Sequence, residues 1–253
     1  MKPFSYSDYE SRLMDSEYIR MLQLPRVRFF KDCKRVLDLA CGPGVFLELL
    51  KEAGIQAMGV DRDEQIVMKA RLKNLDVIQA DIFEHLERAG ESYDGIFCSH
   101  FLEHIPFDRV VRLIELIANG LDPGGVLVFV LPNPGSIRLH LFGFWRDPEH
   151  VRFYTGNLIA SVCQHYGLSV VTSNEEETPN LLETPRLEPI SALQGDSRWK
   201  GFWGHRDDRA EIPLLQLNRK IEEFNQKMEK FSEAVNKMWA RDDEVVIVAK
   251  KRM

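Results

Sequence analysis

The run Val36-Leu37-Asp38-Leu39-Ala40-Cys41-Gly42-Pro43-Gly44-Val45-Phe46-Leu47 decides the fold. An apolar tetrad meets a Gly-Pro-Gly turn and then an amphipathic segment, the pattern of a strand, a tight turn and a helix start. Glycine lets the backbone take dihedrals closed to other residues and lets a ligand come close. A helix beginning there aims free N–H groups at whatever is bound. The turn therefore reads as a nucleotide-type site. Against the dinucleotide spacing G-x-G-x-x-G, Gly42 and Gly44 fill the first two positions and Leu47 stands at the third. The glycine that would pack helix on strand is missing.

Working outward, residues 36–39, 57–60, 76–79, 95–99 and 126–131 read as strands, alternating with helices over 45–53, 64–71, 82–88 and 109–119. Asp122-Pro123-Gly124-Gly125 is expected to turn the chain into the fifth strand. Such alternation over short loops implies right-handed crossovers and a parallel sheet, which binds ligands at the carboxyl ends of its strands. Asp61 ends the second strand, 23 residues after Asp38, where a carboxylate can accept hydrogen bonds from both ribose hydroxyls. That acid alone suits NAD as well. Asp81 ends the third strand, where it can accept from an adenine amino group, cap the helix starting at Ile82, or do both.

Asp38, Ala40, Gly42 and Gly44 together resemble motif I of the class I S-adenosylmethionine-dependent methyltransferases, (D/E)-x-G-x-G-x-G, with Ala40 in place of the first glycine. Tyr93-Asp94-Gly95-Ile96 leading through Ser99-His100-Phe101-Leu102-Glu103-His104-Ile105 resembles the motif IV region of the same family. The likeness continues through Leu121-Asp122-Pro123-Gly124-Gly125 and Leu131-Pro132-Asn133-Pro134, and covers residues 35–172. It implies a Rossmann-like α/β fold: seven strands, mostly parallel, flanked by helices, with a final antiparallel strand. It also implies S-adenosylmethionine as cofactor, held by Asp38, Ala40, Cys41, Gly42 and Gly44 at the turn. Asp61 and Arg62, Asp81 and Ile82, and Ser99, His100 and Phe101 would follow at the next strand ends.

Residues 136–155 leave a carboxyl strand end and should roof the site. Within them His150-Val151-Arg152-Phe153-Tyr154, followed by a helix to Tyr166 and a strand over 168–172, resembles the sugar- and quinone-methylating branches of the family. The chain's layout is also similar to methyltransferases of bacterial and archaeal surface-polysaccharide synthesis. Methyl transfer from a sulfonium is an in-line displacement, so the protein supplies alignment, exclusion of water and, for a hydroxyl acceptor, a base. His150, His104 and Arg152 are the candidate catalytic residues; for His104, helix packing is the alternative. Arg138, Arg146 and Arg152 suit an anionic acceptor, because guanidinium forks match phosphate and carboxylate. Surface pairing with Asp147 and Glu149 is the competing reading. The expected acceptor is a small molecule or glycan, methylated at oxygen.

The chain divides into a helical arm over 1–34, the core over 35–172, an insertion over 173–241 and a closing strand over 242–253. In the arm, Tyr9 or Arg12 could touch the cofactor as a flap, or the whole arm could layer the sheet edge. The loop at 199–205 carries two tryptophans between glycines, suited to a lid, a partner surface or packing on the sheet. Leu214, Leu217, Ile221, Phe224, Met228, Phe231, Val235 and Met238 form a heptad stripe. A helix of that length is about 40 Å long, so a homodimer through residues 214–238 is expected, with an internal brace as the alternative. Such a dimer would be a coiled coil.

Net charge of −6 and a pI near 5.7 argue against a nucleic-acid binder that relies on a basic surface. Four cysteines without a C-x-x-C pair indicate neither a zinc site nor a disulfide framework, and fit a reducing cytoplasm. No metal is required by the reaction. The amino-terminal residues lack the apolar core of a signal peptide, and no run of about 18 apolar residues could span a bilayer. Two other classes compete: an NAD-linked oxidoreductase, which would want the third glycine, and a non-catalytic scaffold assembling through the heptad helix. The scaffold reading does not explain acids at three strand positions.

Overall fold

The computed structural model describes residues 16–88, 92–174, 208–239 and 242–253. The chain forms two compact units, Met1–Glu177 with Asp242–Met253, and Thr178–Arg241. The first holds a seven-stranded sheet of order β3-β2-β1-β4-β5-β7-β6. Its strands are β1 (Val36–Leu39), β2 (Ala57–Asp61), β3 (Val77–Gln79), β4 (Tyr93–Ser99), β5 (Leu121–Pro132), β6 (Leu168–Ser173) and β7 (Glu244–Lys251). Helices α1 (Ser16–Gln23), α2 (Val45–Glu52), α3 (Glu64–Leu72), α4 (Ile82–Arg88), α5 (Phe107–Gly120) and α6 (Gly156–His165) accompany it. Strands β3, β2, β1, β4 and β5 are mutually parallel, while β7 runs antiparallel to both neighbours, β5 and β6.

All four residues of β1 are buried, as expected for a central parallel strand covered on both faces. Alternate residues then serve two cores. Leu37, Leu39, Ile96, Leu127 and Phe129 pack beneath the apolar face of α5, which presents Val110, Leu113, Ile114 and Ile117. Val36, Phe97, Val128 and Val130 face the other way, onto Phe46, Leu49 and Leu50 of α2 and onto Phe30. Phe46 stacks on Phe97 with ring centroids 3.8 Å apart, and Phe30 meets both edge-on at 5.7 and 6.2 Å. The helix that follows the Gly-Pro-Gly turn is thereby pinned to the middle of the sheet.

Two details differ from the sequence expectation. The fifth strand begins at Leu121, not at Val126: Tyr93 pairs with Leu121 and Gly95 with Val126, so the Asp-Pro-Gly-Gly segment is an irregularity inside the ladder. Gly124 takes φ +78°, which a glycine accommodates there without strain. Pro25 does not simply break the arm; it sits in the first turn of a 3-10 helix, Leu24–Phe30, where its missing N–H costs nothing. That helix delivers Phe30 to the core, and an ion pair between Arg20 and Glu52 ties α1 to α2. Tyr9, Arg12 and the 199–205 loop lie outside the described residues.

In the second unit, α7 runs from Asp208 to Trp239, 32 residues. Leu217, Phe224, Phe231 and Val235 are exposed along it, and Ile221 and Met228 are half-buried. The side chains of Leu214 and Met238 lie outside the described residues.

Candidate active site

The sheet reverses its strand order between β1 and β4, and a parallel sheet binds ligands at such a switch point, beyond the carboxyl ends. A cleft of about 710 Å³ opens there. Its walls come from the loops that leave β1 (Ala40 to Pro43), β2 (Asp61 to Asp63), β3 (Asp81 to Phe83) and β4 (Ser99 to Phe101). A second hollow, about 600 Å³, lies toward the amino ends of the strands beside Arg35, Lys51 and Asp76, and brings none of these acids together.

Asp61 organises the first wall. Its Oδ2 accepts from the Gly42 N–H at 3.0 Å and its Oδ1 from the Asp63 N–H at 2.9 Å. One carboxylate thus joins the glycine turn to the start of α3, where Asp63 caps through the N–H groups of Gln65 and Ile66. Burial pushes the Asp61 carboxyl up, against the pull of these two backbone donors. Asp81 both caps and lines: its Oδ1 accepts from the N–H of Phe83 at 2.8 Å and of Glu84 at 3.3 Å, and the residue still faces the cleft. Ala40 takes φ +53°, so the backbone keeps the left-handed turn that a glycine would take at less cost.

Ala40, Cys41, Gly42, Asp61, Arg62, Asp81, Ile82, Ser99, His100 and Phe101 all line the cleft. Asp38 and Gly44 do not. Asp38 is 3% exposed inside β1, and burial, then the charge of Asp61, hold its carboxyl well above the usual range. Gly44 sits behind the turn at φ +79°, against Leu75 and Ala70.

His100 also has positive φ, +51°. Its ring bridges two acids, Nδ1 to Glu103 Oε1 at 3.2 Å and Nε2 to Glu244 Oε1 at 2.9 Å. Burial pulls the imidazole down, but the bonds to these two carboxylates more than reverse that and set it at about 10. With the side chain 46% exposed, the carboxylates rather than burial decide the outcome. Arg26 holds the far side of Glu244 at 3.2 Å.

At the roof end stand His104 and His150, their rings 4.7 Å apart and edge-to-face. Residues 46 apart in sequence meet because the Val151 N–H donates to the Glu103 carbonyl at 2.8 Å, lashing the roof to the short helix Leu102–His104. His150 Nδ1 lies 2.6 Å from the Phe144 carbonyl, an acceptor only, so Nδ1 carries a proton and, in the neutral ring, Nε2 holds the lone pair. Burial lowers the pKa of His104. Phe144, buried under the roof, stacks on Phe153 at 3.6 Å.

Arg152 is not at this end of the cleft. Its Nε donates to the Phe153 carbonyl at 3.3 Å and its guanidinium sits over the Tyr154 ring. Neither Arg138 nor Arg146 lines the cleft either; Arg138 Nε is 3.2 Å from Asp243, and it is Arg62 that approaches Glu149, at 3.5 Å. Among the described residues, the arginines on the wall are Arg62 and Arg109. The structure also brings in Tyr18, Leu22 and Gln23 of α1, which the sequence reading assigned only to an arm, and it places the Glu103 carboxylate beside the histidines. The Leu-Glu-His triplet was the available signal for Glu103.

A family profile described as a methyltransferase domain matches residues 7–173. The ubiquinone biosynthesis O-methyltransferase of Erwinia tasmaniensis is 33% identical over 109 residues, 41% of this chain and 44% of that protein. Its counterpart in Aliivibrio fischeri is 31% identical over 115 residues, 43% and 48% of the two chains. The chain thus spans under half the length of the curated relatives it matches. Among solved structures, a SAM-dependent methyltransferase from Archaeoglobus fulgidus aligns over 98% of this chain and all of its own, with 25% identity and a TM-score of 0.69. Magnesium protoporphyrin IX methyltransferase of Synechocystis, with bound SAH, aligns over 99% and 89% at 15% identity and a TM-score of 0.54, a likeness of fold alone.

Proposed function

The chain belongs to the methyltransferase-domain family, and we propose that it transfers a methyl group from S-adenosylmethionine to an oxygen of a small-molecule acceptor. The observation that carries this is Asp61, which joins the glycine turn to α3 on the cleft wall, with Asp81 at the next strand end. The cleft's own groups fit such a cofactor. No atom lies within 4 Å of where a Gly42 side chain would stand, leaving room for close approach. Gln23 Oε1, on the same wall, is buried without a partner and would accept from an ammonium group. Asp61 would take the ribose hydroxyls and Asp81 the adenine amino group, with Ile66, Ile82 and Phe83 as apolar walls.

When bound, S-adenosylmethionine supplies a methyl carbon on a sulfonium, which a nucleophile displaces in line. What this chain adds is position and a place for the acceptor's proton. His150 Nε2, its lone pair exposed by the Nδ1 bond to Phe144, is the atom set to receive that proton, with His104 beside it. Phe144, buried with its ring against His150, gives this end of the cleft an apolar wall. The relatives' name, ubiquinone biosynthesis O-methyltransferase, supports oxygen as the atom methylated. We assign the core to residues 35–172 with the closing strand in 242–253, and the arm and insertion as additions to it. With methyl-labelled S-adenosylmethionine and a small-molecule extract, label is expected in a low-mass, hydroxyl-bearing product. Label confined to protein or nucleic acid would contradict the reading.

Two features bear on setting. All four cysteines are free thiols, in keeping with a reducing cytoplasm, and no described helix is long and apolar enough to cross a membrane. The apolar stripe on α7 supports self-association: Leu217, Phe224, Phe231 and Val235 stay exposed at heptad spacing. Sedimentation of a Leu217→Gln, Phe224→Gln double variant should give monomer where the native chain gives dimer. A dimer that survives both changes would assign the interface elsewhere.

A further inference from the structure

We propose that Asp243 and Glu244, with which the chain re-enters the sheet, are positioning residues for the acceptor end of the cleft. Asp243 holds the root of the roof, and Glu244 holds the short helix that carries His104. The inference rests on the methyl-transfer reading for what His104 and His150 do there.

Topology puts both residues at the site. Strands β1 to β5 run parallel and leave the sheet at the edge where the cleft opens, whereas β7 is antiparallel and enters at that same edge. Glu244 thereby pairs with Pro132, the last residue of β5, from which the chain runs on into the roof. Both Asp243 and Glu244 line the cleft with His100, His104 and His150.

Asp243 grips the roof where it begins. Its carbonyl accepts from the Asn133 N–H at 2.8 Å, and the preceding carbonyl, of Asp242, accepts from Asn133 Nδ2 at 2.8 Å. Its Oδ1 accepts from the Ser136 hydroxyl and, at 3.2 Å, from Arg138 Nε. Asn133 and Ser136 are 2% and 1% exposed, so they are buried polar groups that need partners, and the returning segment supplies them. The next turn of the roof is built on Ser136, whose carbonyl accepts from the His140 N–H at 3.4 Å. The residue after β6 fixes the segment from its other side. Asn174 Oδ1 accepts from the Val246 N–H at 2.7 Å, and Asn174 Nδ2 donates to the Glu244 carbonyl at 3.2 Å.

Glu244 acts on the short helix Leu102–His104. Its Oε1 meets His100 Nε2 at 2.9 Å and its Oε2 accepts from Arg26 Nη2 at 3.2 Å, while the other nitrogen of His100 meets Glu103 Oε1 at 3.2 Å. Ionised carboxylates only accept, so both ring nitrogens carry protons and the imidazolium is clamped between two anions. Burial pulls that ring down, yet the two carboxylates set it at about 10. Arg26 behind Glu244 completes the charged groups that face this bridge among the described residues. Glu103 is followed by His104, whose ring stands 4.7 Å from that of His150. One carboxylate therefore fixes each of the two parts that bring these histidines together.

The test compares the full-length native chain with Asp243→Ala and with Glu244→Gln, which keeps the shape and removes the charge. The first readout is NMR titration of the histidine rings. Native His100 is expected to stay protonated well above neutral pH, and Glu244→Gln to lower its midpoint by about one pH unit or more, the scale of a lost opposite charge in contact. The second is amide hydrogen exchange, which Asp243→Ala should speed about tenfold or more over residues 136–151 and leave unchanged in β1 and β4. The third is label transfer from saturating S-adenosylmethionine to the low-mass product. It should fall about tenfold or more in either variant, while S-adenosylhomocysteine affinity stays within about threefold. A native His100 that titrates at the ordinary histidine value overturns the role of Glu244, as does undiminished transfer by Glu244→Gln. Native exchange rates over the roof, or undiminished transfer, in Asp243→Ala overturn that of Asp243. Should either variant fail to fold, judged by thermal unfolding, Ser136→Ala breaks the roof bond from its other side and His100→Asn the bridge, with the same loss of transfer expected. If the native chain transfers no label, the methyl-transfer reading falls, and the ring titration and the exchange rates alone decide whether the two residues hold the site.

Discussion

Asp61→Ala is expected to weaken S-adenosylhomocysteine binding by about 1.5 to 3 kcal/mol, the range for hydrogen bonds to a charged group, or about 10- to 150-fold. The loss has two parts that act together. The carboxylate is the proposed partner of the ribose hydroxyls, and it also takes the N–H groups of Gly42 and Asp63. Removing it strands two backbone donors and loosens the turn that must lie against the cofactor. Asp38→Asn makes a telling contrast, because burial already keeps that carboxyl well above its usual range and the residue lies behind the cleft wall. An amide there should cost less affinity than the loss of Asp61. Calorimetry on both variants checks this, and an Asp61→Ala protein of native affinity would remove Asp61 from the site.

The largest effect on stability is expected from Phe97→Ala, a loss of about 3 to 5 kcal/mol as for other buried phenylalanines. Phe97 is fully buried in β4, stacked on Phe46 and met edge-on by Phe30. The alanine variant would leave a cavity between a central strand, the helix after the glycine turn and the amino-terminal 3-10 helix. Because Phe46 closely follows Gly44, the same change should loosen the cofactor turn. Urea unfolding measures the first consequence. A loss below about 1 kcal/mol would mean that the surroundings collapse to fill the space.

The core was legible because its strands are covered on both faces and therefore read as continuous apolar runs, such as Val36 to Leu39, alternating with helices such as α5. The strand-end acids were legible for a related reason: the topology puts every loop after a strand at one edge, so Asp61 and Asp81 had to converge. What could not be read was contact between distant segments. His104 and His150 meet through a backbone hydrogen bond from Val151 to Glu103, which leaves no periodicity in the sequence. The place of Arg152 in the roof points to a part in the chemistry, but its guanidinium lies over the Tyr154 ring. Asp38, which the motif sets at the cofactor turn, is buried within β1 and does not line the cleft. The contribution of Tyr18 and Leu22 to the wall depends on how α1 docks on α2, which the Arg20–Glu52 ion pair helps to set and no local pattern announces.

The central claim is that this cleft is built for S-adenosylmethionine and not for a nicotinamide dinucleotide. Calorimetry of the native chain against S-adenosylhomocysteine and against NAD tests it most directly. Binding of S-adenosylhomocysteine at one molecule per chain, with no binding of NAD, is the predicted result; NAD binding without S-adenosylhomocysteine binding would contradict it.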